Sequence, residues 1–181
     1  MNKNTLFIAR MALLIALTFV IQMLGLPQPI TGPFINTLLF LTCAILGPLA
    51  GVTLGIITPI VALIRGQLPP VLMPMLPFIA LSNATLVLIY SIIYKNLFLR
   101  TERKWIILIP IFFASLGKFT LLLLSVRFII PLVIGHRFPP QIEWIMAFPQ
   151  LLTALGGGII FVLLLRIFKK VGIPSDGKSI K

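Results

Sequence analysis

Lys118 sits in FFASLGKFTLLLLS, residues 112–125, a run otherwise suited to lipid. An ammonium at bilayer depth costs roughly 2.5–3.5 kcal/mol on insertion scales, so it faces a bundle interior or a water-filled cavity and pairs with something. The chain has only three acids, and none is in an apolar run. Glu102 and Asp176 flank apolar runs at one membrane face, whereas Glu143 follows the RFIIPL stretch and could reach down from the other. Without Glu143, the expected partner of Lys118 is a bound molecule.

Counting depth along the apolar runs at ~1.5 Å per residue places Lys118 roughly 20 Å up a hydrocarbon core of about 30 Å. Asn83 and Gln150 fall near the same level, about 9 and 8 Å below the nearer surface. Asn36, Thr37, Arg65 and Gln67 are expected shallower, at the mouths of the second and third runs, with Thr153 one turn below Gln150. The expected substrate-binding set is therefore Asn36, Arg65, Gln67, Asn83, Lys118, Gln150 and Thr153. A few polar groups converging among apolar walls is the pattern of a small-molecule site. The same residues also fit an interhelical hydrogen-bond cluster or a snorkelling lysine. With Arg65, Arg127 and Arg137 at the rim and only Glu143 opposing them, a neutral-polar or anionic guest fits better than a cation.

The elements that must hold this layer follow from composition. The 181 residues are 59% hydrophobic and 10% charged, with mean hydropathy +1.15. A soluble domain carries about 25% charged residues, so the expectation is an all-α integral membrane protein forming one domain over 1–181. Pro, Gly and charge mark off six spans, at about 5–25, 34–47, 50–64, 77–95, 104–126 and 145–168. The second and third are short against the ~20 residues a span needs. Lys3, Arg10, Lys95, Arg100, Arg103, Lys104, Arg166, Lys169, Lys170, Lys178 and Lys181 fall on one side, against Arg65, Arg127 and Arg137 on the other. That asymmetry places both termini in the cytoplasm. The outer loops, 26–33, 65–76 and 127–144, are rich in proline and expected as an ordered rim, or simply as helix ends.

Several chemistries are not supported. There is no GxxxxGK[ST], HExxH or GxSxG, so neither an enzyme nor a cofactor is expected. A proton-coupled carrier would lack its membrane carboxylates. The net charge of +12 lies at span ends, which argues for topology and contact with the lipid bilayer rather than for nucleic acid. Cys43 reads as a small hydrophobe, and His136 stands alone, so no metal site is expected. GGG at 156–158 falls mid-span and reads as packing or a kink. The basic, apolar N-terminus has no small-x-small cleavage site and is expected to stay as the first span.

Small residues recur at spacing four, which lets helix backbones approach closely. Gly47, Gly51 and Gly55 are expected to pack internally, whereas Ala12 and Ala16 suit internal packing or docking of another membrane protein equally well. The ALLIA stretch at 12–16, the proline-rich first loop before Asn36 and GPLAGVTLGIITP at 47–59 together resemble the S components of energy-coupling factor (ECF) transporters. These are the substrate-binding subunits of vitamin importers in bacteria and archaea. The resemblance implies a six-helix S-component bundle in the prokaryotic cell membrane that captures a vitamin-like small molecule from outside. It also implies that Ala12 and Ala16 dock on an ECF transmembrane coupling subunit driven by two cytoplasmic ATPases, with transport by toppling of the S component. The N-terminal MNKN lacks the histidine of the nickel and cobalt members, which speaks against a metal cargo. The alternative from another class is a small membrane scaffold of the cell-wall elongation machinery, with no transported ligand.

Overall fold

The computed structural model describes residues 2–67, 70–98, 104–135 and 139–170. Helices α1 (Lys3–Met23), α2 (Gln28–Leu46) and α3 (Pro48–Ile64) come first. A 3-10 turn at Pro70–Met75 leads into α4 (Leu76–Phe98). A second 3-10 turn, Lys104–Ile107, starts a run made of α5 (Leu108–Leu124), a π-helical turn Ser125–Ile129 and α6 (Ile130–Ile134). The long α7 (Pro140–Lys170) follows. Five of these runs are long and apolar enough to cross a membrane, and the 17-residue α3 is a shorter sixth. Arg100, Glu102, Arg103, His136, Arg137, Asp176, Lys178 and Lys181 lie outside the described residues.

The prolines begin helices more than they make loops. Pro29, Pro48 and Pro131 sit in the first two positions of α2, α3 and α6, and Pro140 opens α7. Proline is favoured there because its fixed φ suits a helix and its missing N–H would have had no partner. The helices extend beyond the expected spans at these ends. The second helix begins at Gln28 rather than about 34, and α7 begins at Pro140, ahead of its apolar stretch Met146–Phe168, which coincides with the expected sixth span. The fifth continues through its π turn to Ile134, so most of the expected loop at 127–144 is helix. The 3-10 turn after Gln67 sends Leu72 and Met75 into the interior. Gly47 alone joins α2 to α3, and its φ of +94° is one that a side chain would resist.

Helices α2, α3, α4, α5 and α7 pack in sequence into a closed ring, while α1 lies outside it against α2 and α3. Consequently α1 buries only Leu14, Thr18 and Gln22, one helical stripe at spacing four. The ring interior has two apolar clusters. In the larger, Phe40, Tyr90 and Phe161 meet with centroids 5.1–5.7 Å apart, and all three are buried. The smaller joins Leu72, Met75, Leu122, Val126 and Ile130 near the other end.

Glycines set how closely the ring closes. Gly51 and Gly55 face α4, where a Cβ would come within 2.8 Å of Val87 and 3.0 Å of Asn83. The expected internal role of this GxxxG pair is thus observed, while Gly47 serves the turn. A Cβ on Gly157 would lie 2.6 Å from the Pro33 carbonyl oxygen and 2.7 Å from the Asn36 Cβ. On Gly156 the nearest atom would be Pro33 Cγ, at an ordinary 3.7 Å. Gly157→Ala should therefore destabilise by about 1–3 kcal/mol through overpacking against backbone that has little room to move. Gly156→Ala should be neutral or gain up to about 1 kcal/mol in helix propensity. Melting temperatures of the two variants in detergent check the contrast.

Candidate functional site

The polar layer is made by residues from all five ring helices. The Lys118 ammonium, 3% exposed, donates to Asn36 Oδ1 and to Asn83 Oδ1, both at 2.8 Å. Each asparagine is oriented from behind. Asn36 Nδ2 donates to the Gly32 carbonyl at 2.9 Å and to Thr153 Oγ1 at 3.4 Å. Asn83 Nδ2 donates to the Gly55 carbonyl and to Thr58 Oγ1, both at 3.0 Å. With both amide nitrogens engaged by carbonyls, both amide oxygens turn to the lysine. This is the partner the sequence left open: carboxamides, not a carboxylate, hold the ammonium. Glu143, the one acid among the described residues, forms no ion pair with it.

Above this layer lies a cavity of about 460 Å³, in the range of small-molecule sites. Asn36, Asn83, Lys118 and Thr58, all buried, form its floor. Leu26, Pro27, Gln28 and Gln67, all exposed, form its rim. Ile35, Pro59, Ala62, Leu72, Ile79 and Met146 supply apolar wall.

Of the expected set, Asn36, Gln67, Asn83, Lys118 and Gln150 all line this cavity. Asn36 is deeper than expected because α2 starts about two turns earlier, which carries the residue down to the lysine. Thr153 is not in the lining; it is buried behind Asn36 and donates to the Gln150 carbonyl at 3.2 Å. Arg65 is not brought into the lining. Its guanidinium donates to the Met23 carbonyl at 3.0 Å, tying α3 to α1 at the surface and away from the lining. Arg127 is likewise exposed, 5.8 Å from the Phe128 ring centre, and does not line the cavity.

The sequence reading missed Gln22, Gln28, Thr31 and Thr58. Gln22 is the most telling: its Nε2 donates to the Thr58 carbonyl at 2.9 Å, and Gln67 Nε2 donates to the Gln22 carbonyl at 3.1 Å. Its signal was there to find, since Thr18 and Gln22 repeat at spacing four in an otherwise apolar span.

The arrangement can hold one compact molecule against a cationic donor on a neutral, carboxamide-rich floor. Among the described residues, its lining contains no carboxylate. The family model described as "ECF transporter, substrate-specific component" matches residues 6–168. Comparison with curated proteins and with solved structures gives no match.

Proposed function

The chain belongs to the substrate-specific components of ECF transporters, and from that premise we propose that its cavity captures a neutral or anionic, vitamin-like molecule from outside a prokaryotic cell. It is a multi-pass membrane protein and a transport subunit, not an enzyme. The observation that carries the proposal is the cavity floor. A buried ammonium is held at the bottom of a cleft by two asparagines that are themselves fixed from behind, so the protein's own hydrogen bonds orient the polar floor. Pre-formed polar groups avoid the ordering cost that binding would otherwise incur. The cation asymmetry favours the outer side for the rim residues Leu26, Pro27, Gln28 and Gln67. The substrate-binding residues in this reading are Asn36, Asn83, Lys118, Gln67 and Gln150, with Thr153 as a support for Asn36. A scaffold would need no such cleft.

The test is to purify the protein in detergent, release any co-purifying small molecule, identify it by mass spectrometry and titrate it back. The expected result is a compound of vitamin size that raises the melting temperature. If no compound co-purifies and none from a vitamin panel shifts the melt, the proposal fails.

Energy for transport comes, in this reading, from two cytoplasmic ATPases acting through the coupling subunit. Ala12 and Ala16 are exposed on α1, the helix left outside the ring, and Ala9 lies on the same exposed surface. A stripe of small side chains lets a partner helix come close. Ala12→Leu/Ala16→Leu should keep substrate binding in detergent and reduce co-purification with the coupling subunit at least tenfold. Undiminished co-purification would move the docking face elsewhere.

A further inference from the structure

The cavity floor depends on which way the Asn83 amide is turned, and a backbone feature of α3 bears on that. The Asn83 Oδ1 atom meets the Lys118 ammonium while Nδ2 points the other way, to the Gly55 carbonyl and to Thr58 Oγ1, both at 3.0 Å. The Thr58 hydroxyl in turn donates to the same Gly55 carbonyl at 3.1 Å. A carbonyl oxygen has two lone pairs, a carboxamide nitrogen two N–H bonds and a hydroxyl one O–H. Side chains therefore take both lone pairs of the Gly55 carbonyl, and both Nδ2 donors of Asn83 are used. In an unbroken helix this carbonyl would accept from the N–H four residues on. Here that residue is Pro59, inside α3, and proline has no N–H. The set closes because α3 leaves this carbonyl without its usual backbone donor.

Gly55 supplies the second condition. A Cβ there would lie 3.0 Å from the Asn83 Cβ, so only bare backbone lets α4 bring the amide so near the carbonyl. Pro59 is buried and lines the cavity. Pro33 and Pro149 also lie inside helices, but neither lines it.

We propose that Pro59 is a positioning residue for the guest site: by withholding a backbone donor it reserves the Gly55 carbonyl for Asn83 Nδ2, and so keeps Asn83 Oδ1 turned to Lys118. Its importance for binding rests on the substrate-capture reading above. Any other residue at this position restores an N–H that competes for the carbonyl and frees the amide to turn. A turned amide sets donor against donor at the ammonium, which then keeps only Asn36 of its two partners. The GIITP stretch at 55–59 thus does more than pack closely. Its glycine permits the approach, and its proline, one helical turn later, leaves the acceptor open.

The test is amide NMR of the whole protein in detergent, isotope-labelled at asparagine and glycine, with the Asn83 side-chain signal assigned by its loss in Asn83→Leu. In the wild type this amide should show a nuclear Overhauser contact to Gly55. In Pro59→Ala the contact should drop by half or more and the amide signal should shift, while circular dichroism shows the helices kept. An unmoved amide signal overturns the proposal. Pro59→Leu restores the same N–H while keeping bulk on the cavity wall, and should act alike; failure of both variants to fold overturns the proposal in favour of a purely structural proline. Melting supplies a second arm. Pro59→Ala should be better tolerated in the Asn83→Leu background than in the wild type, because there it displaces no amide. An equal change in both backgrounds would make the two residues independent and overturn the proposal. For binding, whichever of biotin, pantothenate and riboflavin binds the wild type should bind Pro59→Ala about tenfold or more weakly, as expected for disturbing a hydrogen bond to a charged group. Equal binding overturns the positioning role. Binding of none of the three to the wild type counts against substrate capture, and the amide signal and the melting comparison still decide the role of Pro59.

Discussion

Asn83→Leu is expected to be the most damaging single change in the polar layer, lowering stability by about 3 kcal/mol, in line with the loss of a hydrogen bond to a charged group. The side chain is similar in size, so cavity formation is not the reason. The substitution removes one of two oxygens that hold Lys118, and with it the bonds to the Gly55 carbonyl and to Thr58 Oγ1. An ammonium with half of its protein partners gone stays where it is, because the helices around it leave it buried. Breaking one side of a buried charged contact is costly for that reason: the charge remains and its compensation does not. Lys118→Met/Asn83→Leu should therefore recover part of the loss, since it removes the charge as well. Melting of the two single variants and the double variant in detergent supplies the cycle. Equal stability of Asn83→Leu and wild type would mean that the lysine does not depend on this asparagine.

Lys118→Met has the largest expected effect on binding. Among the described residues it removes the one charged group in the cavity lining while keeping most of the length of the side chain. A charge-assisted hydrogen bond contributes about 1.5–3 kcal/mol, so affinity for an anionic guest should fall tenfold to about a hundredfold. The fold should persist. Two carboxamide oxygens lose a donor, but the layer also loses the cost of holding a charge away from water. Isothermal titration with the co-purified compound reads the change, and circular dichroism checks the helices. An unchanged dissociation constant would return the lysine to a purely structural role.

How far the sequence could be read depends on which physical cue was available. Lys118 was legible because a charge in lipid must be compensated, and depth counting from the charged ends then brought Asn83 and Gln150 to its level. Asn36 was assigned too shallow because the prolines before it were read as loop, although proline at a first turn starts a helix as readily as it ends one. Arg65 turns to the Met23 carbonyl instead of the lining, which a rim position in the sequence does not reveal for a long side chain. Gln22 was missed for a more general reason. In water a helix shows its buried face by being apolar there and polar opposite. In lipid both faces are apolar, as the exposed Ile8, Leu13, Val20, Leu132 and Ile159 illustrate, so the pattern does not reveal rotation about the axis. Only the rare polar residues do, and each has to be recognised singly. The closed ring of α2, α3, α4, α5 and α7, with α1 outside, rests on pairings that no local pattern encodes.

The packed rings of Phe40, Tyr90 and Phe161 lie one to two helical turns below Asn36 and Asn83 along α2 and α4. They make the bundle a cup with a sealed base, not a tube. In the proposed reading, a guest admitted over the lip meets this packed aromatic layer beneath it. Its release on the far side would take movement of helices and not diffusion through the bundle, and tighter capture would make that movement costlier.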